Sequence, residues 1–301
     1  MTAPLDNVEL ADSAPVAAMD VGTNTTRLLV ARVSGGHVEP LHARSKMTAL
    51  GEGLVPGGDI GLAGLELVEE TVREMAAEAR MFGARRLVVA CTAPARVARN
   101  ASELLDRLAA ASGVAPRALT GDEEAEIAFR GIAATGAPDP LVAIDLGGGS
   151  LEVMGGEGGE LRWSTSLPIG VRLLTERFAL GDPPDPAQFE PMISAVRELT
   201  NAVAIPEGTR EAIASGGSAA ALAELVGSDL LDVAELASAT ERLIASPADV
   251  LARGTGIEVA RVRLLLAGAA ALEAVRRSFG LDALRVSQAG IREGLLLEAA
   301  R

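Results

Sequence analysis

A short pattern of residues occurs twice in this chain, and the two copies lie 125 residues apart. The first copy is Met19-Asp20-Val21-Gly22 and the second is Ile144-Asp145-Leu146-Gly147. Each copy ends an apolar run typical of a buried strand and leads through a polar turn into a second apolar run. A repeat of this length corresponds to a whole domain rather than to a solenoid unit. The sequence therefore predicts two similar α/β domains, each opening with a strand, a turn and a returning strand.

The chain of 301 residues is long enough for two such domains. Residues 1–14 are polar and acidic and are predicted to form a disordered lead-in. We expect an N-terminal lobe over residues 15–135 and a C-terminal lobe over residues 136–301, whose last helix is a candidate to pack back on the first lobe. An apolar stripe at helical spacing predicts a helix over residues 62–82. Asn100 with Glu103 predicts a capping box at the start of a further helix.

Composition limits the class of protein. Apolar residues make up 49% of the chain and charged residues 23%, which is typical of a globular protein. A formal charge of −14 argues against broad nucleic-acid binding, which needs a basic face. A single cysteine, Cys91, excludes an intramolecular disulfide and fits a reducing compartment. No apolar run is long enough to span a membrane and no basic signal region precedes the first strand, so we expect a cytoplasmic protein without membrane or nucleic-acid partners.

The second of the two turns contains three consecutive glycines, at residues 147–149, followed by Ser150. Without a Cβ atom the backbone N–H groups can approach an oxyanion, and Ser150 adds a hydroxyl donor. Asp145, at the strand end, can hold a cation or its waters. The alternative is a tight hairpin that needs glycine only for its geometry. The similar turn after Asp20 favours a phosphate held between two lobes, although neither the P-loop nor the dinucleotide-binding pattern is present.

Two other polar segments allow a structural and a functional interpretation. Asp122, Glu123 and Glu124 follow a glycine at a predicted helix N-terminus, where acidic residues are favoured by the helix dipole alone. The segment of residues 215–218, Ser-Gly-Gly-Ser, is either a turn or a second phosphate contact. Spacing alone leaves both interpretations open for each segment.

Taken together, these motifs resemble those of the exopolyphosphatase/guanosine pentaphosphate phosphohydrolase (Ppx/GppA) family. Residues 20–25 resemble its first phosphate motif, and residues 145–152 resemble its Asp-Gly-Gly-Gly-Ser-x-Glu loop. Residues 120–125 resemble its catalytic-glutamate motif. Further similar segments occur in the same order as in the family, at residues 50–54, 91–100, 166–170, 215–218 and 287–296. The resemblance covers nearly the whole chain from about Val16.

The resemblance implies an actin-like ATPase fold, which is an α/β fold of two ribonuclease-H-like lobes around a cleft, with mixed sheets flanked by helices. It implies hydrolysis of terminal phosphate from inorganic polyphosphate with Mg²⁺ or another divalent cation, and a homodimer as a candidate assembly. Glu124 matches the family's catalytic base, and its neighbour Glu123 is the weaker candidate. The residues that match its phosphate-binding positions are Asp20, Gly22, Thr23, Asn24, Thr25, Arg96, Gly147, Gly148, Gly149, Ser150, Gly216, Gly217 and Ser218, and those matched to the metal are Asp145 and Glu152.

Two positions depart from the family pattern. Ala49 and Glu126 stand where the family often has arginine, so positive charge is lost near the expected path of a polyanion. Two alternatives to an exopolyphosphatase therefore stay open: a guanosine pentaphosphate 5′-phosphatase, and a weakly catalytic sensor of polyphosphate or guanosine tetraphosphate. A sugar kinase of the same fold fits the motif set less well.

Overall fold

The computed structural model describes residues 14–54 and 57–300, and these residues form two compact units. The first unit contains the described residues up to Gly136 together with those from Ile291 onward, and the second unit is Ala137–Gly290. Each unit has an apolar core of its own. The predicted lead-in lies outside the described residues except for its last position, Ala14. Within the described ranges, no helix is long and apolar enough to cross a membrane.

The first unit is built on a mixed sheet. Its strands are β1 (Val16–Val21), β2 (Thr25–Ser34), β3 (His37–Met47), β4 (Arg86–Cys91) and β5 (Arg117–Ala118), and its first four helices are α1 (Leu62–Met81), α2 (Ala93–Val97), α3 (Ala101–Ser112) and α4 (Gly121–Ala133). The strand order is β3-β2-β1-β4-β5. β1 and β2 form the predicted hairpin, β3 extends it antiparallel, and β4 lies parallel to β1 on the other side.

The second unit repeats this arrangement. Its strands are β6 (Leu141–Leu146), β7 (Leu151–Glu157), β8 (Glu160–Leu167), β9 (Glu211–Ser215), β10 (Leu230–Asp232) and β11 (Ala283–Val286), and its helices are α5 (Val171–Arg177), α6 (Phe189–Thr200), α7 (Gly217–Val226), α8 (Val233–Ala245), α9 (Ala248–Thr255), α10 (Val259–Val262) and α11 (Leu265–Phe279). The strand order is β10-β11-β9-β6-β7-β8. Again a hairpin, β6–β7, has an antiparallel strand on one side and a parallel strand on the other. The expected duplicated fold, with mixed sheets flanked by helices, is confirmed.

The last helix, α12 (Ile291–Ala299), belongs to the first unit, although it follows the whole second unit in the chain. It packs on α4 so closely that a Cβ atom at Gly294 would lie 1.9 Å from the Ile127 carbonyl oxygen. Glu298 accepts hydrogen bonds from Arg117 at 2.8 Å and from Arg130 at 3.0 Å. Steric fit and ion pairs therefore attach this helix to α4 and its neighbours.

The capping box predicted at Asn100 is wrong. Asn100 precedes α3, but its side chain makes no capping hydrogen bond. Its amide instead accepts from the Ile60 N–H at 2.9 Å and donates to the Ile60 carbonyl at 3.1 Å. Because the Asn100 side chain makes two hydrogen bonds to the backbone of a loop, it does not cap α3. The asparagine instead fixes the loop before α1.

Candidate functional site

The two glycine turns have the same local geometry. In the first unit the Gly22 N–H donates to the Thr25 carbonyl at 3.1 Å, and in the second the Gly147 N–H donates to the Ser150 carbonyl at 3.0 Å. A Cβ atom on Gly22 or on Gly147 would lie 3.3 Å from that carbonyl oxygen. This is closer than side-chain carbons normally approach, which is why both turns carry glycine at this point. The duplication seen in the sequence thus extends to the hydrogen bonding of the turns.

In the first unit, the segment after β3 attaches to the carbonyl groups of its turn. Thr48 and Ala49 both donate their N–H groups to the Asn24 carbonyl, at 2.9 and 3.0 Å. Gly51 donates to the Thr23 carbonyl at 2.8 Å. The carbonyl groups of the turn are therefore occupied by main-chain donors of the same unit.

In the second unit, the segment after β8 holds the triple-glycine turn in the same way. The N–H groups of Val171 and Arg172 donate to the Gly147 and Gly148 carbonyls at 3.1 and 3.0 Å. Gly170 packs directly on the turn, because a Cβ atom at this position would lie 2.4 Å from the carbonyl carbon of Gly148. The position of the turn thus depends on a glycine outside it.

The N–H groups at the tip of this turn are available to a ligand. Among residues 14–54 and 57–300, those of Gly148 and Gly149 donate no hydrogen bond. The carbonyl groups of Gly147 and Gly148, in contrast, are accepting bonds from the segment after β8. Successive backbone N–H groups of this kind form a concave site that suits an anion such as phosphate.

Four polar residues, which we call the acid row, lie side by side across the sheet of the second unit. They are Ser215, Asp145, Glu152 and Ser166, on β9, β6, β7 and β8, and each is the register partner of the next. The Ser215 hydroxyl lies 2.9 Å from Asp145 Oδ1. The Ser166 hydroxyl lies 2.9 Å from Glu152 Oε1, and Glu152 is only 6% exposed. Both carboxylates that were matched to a metal are therefore adjacent, and each has a serine donor.

This arrangement fits a divalent cation of the Mg²⁺ type. Like charges directly opposite each other on neighbouring strands destabilise a sheet, and a cation would offset the repulsion between Asp145 and Glu152. The described residues contain no group of three or more His, Cys, Asp or Glu side chains that could hold a metal. A closed protein cage is therefore absent from them. Mg²⁺ is commonly bound through one or two carboxylates, with waters and substrate phosphates as the other ligands.

The equivalent positions in the first unit form a mixed row, which we define as Ala90, Asp20, Arg27 and Ser45 on β4, β1, β2 and β3. In the first unit Asp20 lies opposite an arginine, whereas in the second unit Asp145 lies opposite a glutamate. Sequence reasoning missed Arg27 as a neighbour of the site. The signal was present, because Arg27 and Glu152 are separated by the same 125 residues as the two aspartates.

Arg292, at the start of α12, is a second neighbour of Asp20 that the sequence did not single out. Its side chain is 14% exposed, and burial lowers the pKa of its guanidinium. The charge of Glu293 raises this pKa, that of Arg27 lowers it, and that of Asp20 raises it. The mixed row and the start of α12 therefore form one cluster in which positive and negative charges are both present.

The two candidate catalytic glutamates both lie in the first turn of α4 but make different interactions. Thr120 and Glu123 form a capping box, in which the Glu123 N–H donates to Thr120 Oγ1 at 3.2 Å and the Thr120 N–H donates to Glu123 Oε2 at 2.8 Å. The hydrogen bond from the Thr120 backbone, together with one from its hydroxyl, lowers the pKa of Glu123. Glu123 is thus engaged in starting the helix, whereas Glu124 is not part of the cap.

Glu124 is instead paired with Arg96, the arginine matched to phosphate binding. Arg96 NH1 lies 2.7 Å from Glu124 Oε2 and also donates to the Leu119 carbonyl at 2.9 Å. The two side chains are 29% and 18% exposed. An anion that reaches Arg96 would compete with Glu124 for the same guanidinium.

The Ser-Gly-Gly-Ser segment is both a turn and a neighbour of the acid row. Gly216 has a φ of 99°, and a Cβ atom there would lie 2.4 Å from the Leu146 carbonyl oxygen and 3.0 Å from Asp145 Oδ1. Gly217 is the first residue of α7. Ser218 is buried against Gly268 of α11, since a Cβ atom on that glycine would lie 3.1 Å from the Ser218 Cβ. The structure thus brings Gly216 to Asp145 and places Ser218 in helix packing.

Duplicated mixed sheets with this strand order, each carrying a glycine turn at the end of its hairpin, define a duplicated α/β protein of the actin-like type. The sequence profile described as the Ppx/GppA phosphatase family matches residues 29–301, and the chain belongs to this family.

Three similar proteins illustrate the match. An uncharacterised protein of Streptomyces coelicolor is 34% identical over 300 residues, which cover 93% of this chain and 89% of that protein. Exopolyphosphatase 2 of Mycobacterium tuberculosis is 30% identical over 322 residues, which cover 95% of this chain and 98% of the relative. The solved structure of the Aquifex aeolicus PPX-GPPA enzyme superposes with a TM-score of 0.77 at 26% identity, covering 95% of this chain and 99% of that structure.

Proposed function

We propose that this protein is a phosphoanhydride hydrolase that releases terminal phosphate from inorganic polyphosphate. The observation that carries the proposal is the acid row beside a glycine turn whose tip presents backbone N–H groups. Phosphoryl transfer demands little covalent work from a protein, which must hold the phosphoryl group, neutralise its charge and align the attacking water. The described residues supply a candidate for each of these tasks.

Phosphate binding is assigned to the two glycine turns and to Arg96. The N–H groups of Gly148 and Gly149 and the Ser150 hydroxyl are donors suited to phosphate oxygens. Residues 20–25 repeat the turn geometry and are proposed to bind phosphate in the same manner, as are Gly216 and Gly217, whereas Ser218 is buried against α11. Arg96 adds a guanidinium, whose planar set of donors matches phosphate.

Cation binding is assigned to Asp145 and Glu152. A bound Mg²⁺ would offset the negative charge of the phosphate oxygens and stabilise the leaving group. The protein's own contribution is to keep two carboxylates side by side on neighbouring strands, each with a serine donor.

Glu124 is proposed as the residue that orients the water and accepts its proton. Glu123 is a poor candidate for this role because its carboxylate closes the capping box. The ion pair with Arg96 holds the Glu124 carboxylate in place before a substrate binds. When phosphate takes Arg96, Glu124 is released to act on water.

The loss of arginine at position 126 is compensated locally. Glu126 forms an ion pair with Arg130 at 2.7 Å, one helical turn further along α4. Its charge is therefore partly neutralised before any polyanion approaches. The similarity to a mycobacterial protein named an exopolyphosphatase favours polyphosphate over the alternatives of guanosine pentaphosphate hydrolysis or sensing without turnover.

Phosphate release tests the proposal. We would measure it from long polyphosphate, short polyphosphate, guanosine pentaphosphate and ATP, with Mg²⁺ and with EDTA. Wild type is expected to act on polyphosphate only with the cation. Glu124→Gln is expected to lose about 100- to 10,000-fold in kcat, the usual contribution of a general base. Its matched control, Glu123→Gln, is expected to retain turnover and to lose thermal stability.

Each contrary result points to a different conclusion. Full activity of Glu124→Gln would remove the proposed base. A higher kcat/KM for guanosine pentaphosphate than for polyphosphate would favour the 5′-phosphatase. Tight binding of either ligand without turnover would favour the sensor. Sedimentation of the same preparations would test the expected homodimer.

A further inference from the structure

We propose that Ser215 and Ser166 are positioning residues that orient Asp145 and Glu152 for cation binding. The inference rests on the cation role proposed above for these two carboxylates. It goes further by assigning a function to the two ends of the acid row, one of which is a buried serine with no counterpart in the first unit.

The geometry of the row is the first reason. Each serine is the register partner of one carboxylate, and each hydroxyl lies 2.9 Å from one carboxylate oxygen. Ser215 Oγ is also 3.4 Å from the Ile144 carbonyl, which is a longer and weaker contact. The donor groups thus stand at the two outer positions of the row, with both carboxylates between them.

The charge of the row is the second reason. Two carboxylates at directly opposed positions repel, and without other contacts their side chains would rotate apart. A hydrogen bond to an ionised acceptor is stronger than one between neutral groups and fixes the rotamer of the side chain that accepts it. One donor on each carboxylate therefore keeps the pair in place before a cation arrives. A carboxylate has about four lone-pair directions, so the hydrogen bond from serine does not by itself prevent it from binding a cation.

The first unit provides an internal control. The position equivalent to Ser215 is Ala90, which is fully buried on β4. A sheet of this topology thus accepts a methyl group there, and packing alone does not require a hydroxyl. In that unit Asp20 lies opposite Arg27, a positive charge, in place of a second carboxylate. At the Ser215 position the hydroxyl therefore occurs only in the row that carries two like charges, whereas the other end of the row is serine in both units, Ser166 and Ser45.

Titration with Mn²⁺, as a spectroscopic substitute for Mg²⁺, tests the inference. Binding would be followed by calorimetry and by electron paramagnetic resonance for wild type, Ser215→Ala, Ser166→Ala and the double variant. Each single change is expected to weaken Mn²⁺ binding by about 10- to 100-fold, the usual effect of removing a residue that orients a metal ligand. Ser166→Thr keeps a hydroxyl and is expected to restore binding.

The control is Ser164→Ala. Ser164 lies on the same strand, two residues before Ser166, and its register partner is Met154 rather than a carboxylate. It is expected to bind Mn²⁺ as wild type does. Thermal unfolding in EDTA checks that the variants fold. Ser166→Ala is the safer of the two because residue 166 is exposed, whereas Ser215 is 2% exposed.

The outcomes distinguish a failure of the positioning role from a failure of the proposed cation site. One outcome is that wild type and both serine variants bind Mn²⁺ equally well, whereas Asp145→Asn does not bind it. This outcome would overturn the positioning role and leave the proposed cation site intact. An equal loss in Ser164→Ala and Ser166→Ala would also overturn it, because the effect would then belong to the strand. No Mn²⁺ binding by wild type, even with inorganic phosphate present, would overturn the cation site and the positioning role together.

Discussion

The acid row and the mixed row occupy equivalent positions in two sheets of the same topology, yet they differ in charge. In the mixed row an aspartate lies opposite an arginine, so the two facing charges have opposite signs. In the acid row an aspartate faces a glutamate, and the charge must be balanced by hydrogen-bond donors and, on our proposal, by a cation. A duplicated backbone therefore supports two different electrostatic roles, which differ in the residue facing the aspartate on each side: Arg27 against Glu152, and Ala90 against Ser215.

The largest effect is expected from removing one aspartate at a time. Asp145→Asn should abolish Mn²⁺ binding, because it removes one of only two carboxylates in the acid row. Asp20→Asn should leave Mn²⁺ affinity unchanged, because the mixed row has its own positive charge. Calorimetric titration of both variants measures the difference, and equal losses would contradict the assignment of the cation to the acid row.

A second difference between the units is a buried carboxylate among the helices of the second. Glu273 is 5% exposed and contacts Arg276 at 2.7 Å and Arg277 at 2.6 Å. Burial raises the pKa of Glu273, but the hydrogen bonds from both arginines outweigh burial and lower it. Glu273→Gln is expected to reduce the free energy of unfolding by about 3–5 kcal/mol, as breakage of a buried ion pair does.

The pH dependence of this loss in stability follows from the direction in which folding shifts the pKa of Glu273. A carboxylate whose pKa is lowered by folding stabilises the folded state above its unfolded pKa, and this contribution is lost as the pH falls through the folded pKa. Urea unfolding should therefore show a large difference between wild type and Glu273→Gln at pH 7 and a smaller one well below 4.5, the unperturbed value. Asp249→Asn removes an exposed ion pair of the same unit and should change the free energy of unfolding far less than Glu273→Gln does. A pH-independent difference for Glu273→Gln would contradict the assignment.

The third effect concerns the attachment of the glycine turns. Gly170→Ala should displace the triple-glycine turn, since no Cβ atom fits against Gly148. We expect a loss of about 1–3 kcal/mol from overpacking, together with a raised KM for polyphosphate. Gly254→Ala is the matched control, because a Cβ atom on this residue of α9 meets no atom within 4 Å. Unchanged KM in Gly170→Ala would mean that the turn is not held from this side.

The smallest expected effect is a change in the free energy of unfolding that has opposite signs for the two rows. In EDTA, Asp145→Asn should stabilise the protein by about 0.2–1 kcal/mol, because it relieves a like-charge pair. Asp20→Asn should destabilise it by a similar amount, because it removes an opposite-charge pair. Chemical unfolding of the two variants makes the comparison, and the same sign for both would contradict the electrostatic account of the rows.

The sequence predicted the local structure around the candidate site but not the contacts between residues far apart in the chain. Each strand–turn–strand unit was evident because its apolar runs and glycines are adjacent in the chain. Ser215 was seen only as part of a turn, since its contact with Asp145 depends on β9 lying beside β6 in the sheet. The strand of residues 211–215 is short and leads directly into a helix, so periodicity did not separate it. Arg27 and Ser166 were likewise invisible as row members without the register.

Capping illustrates the same limit on a smaller scale. The pattern at Asn100 and Glu103 satisfies the capping rule, but a loop 40 residues earlier takes the asparagine. The pattern at Thr120 and Glu123 satisfies the same rule and does form a capping box. Local sequence cannot distinguish the two cases, because the competing partner is contributed by another part of the chain.

The position of α12 has a consequence for biosynthesis. The second unit is one continuous stretch of chain, whereas the first needs residues on both sides of it. Domains generally fold as units while the chain is being synthesised. The second unit is therefore able to complete its core first, although the first unit begins to emerge earlier. Until α12 has emerged, α4 and the part of the first sheet that α12 covers lack this packing partner, and nascent chains paused before Ile291 are expected to need protection from aggregation.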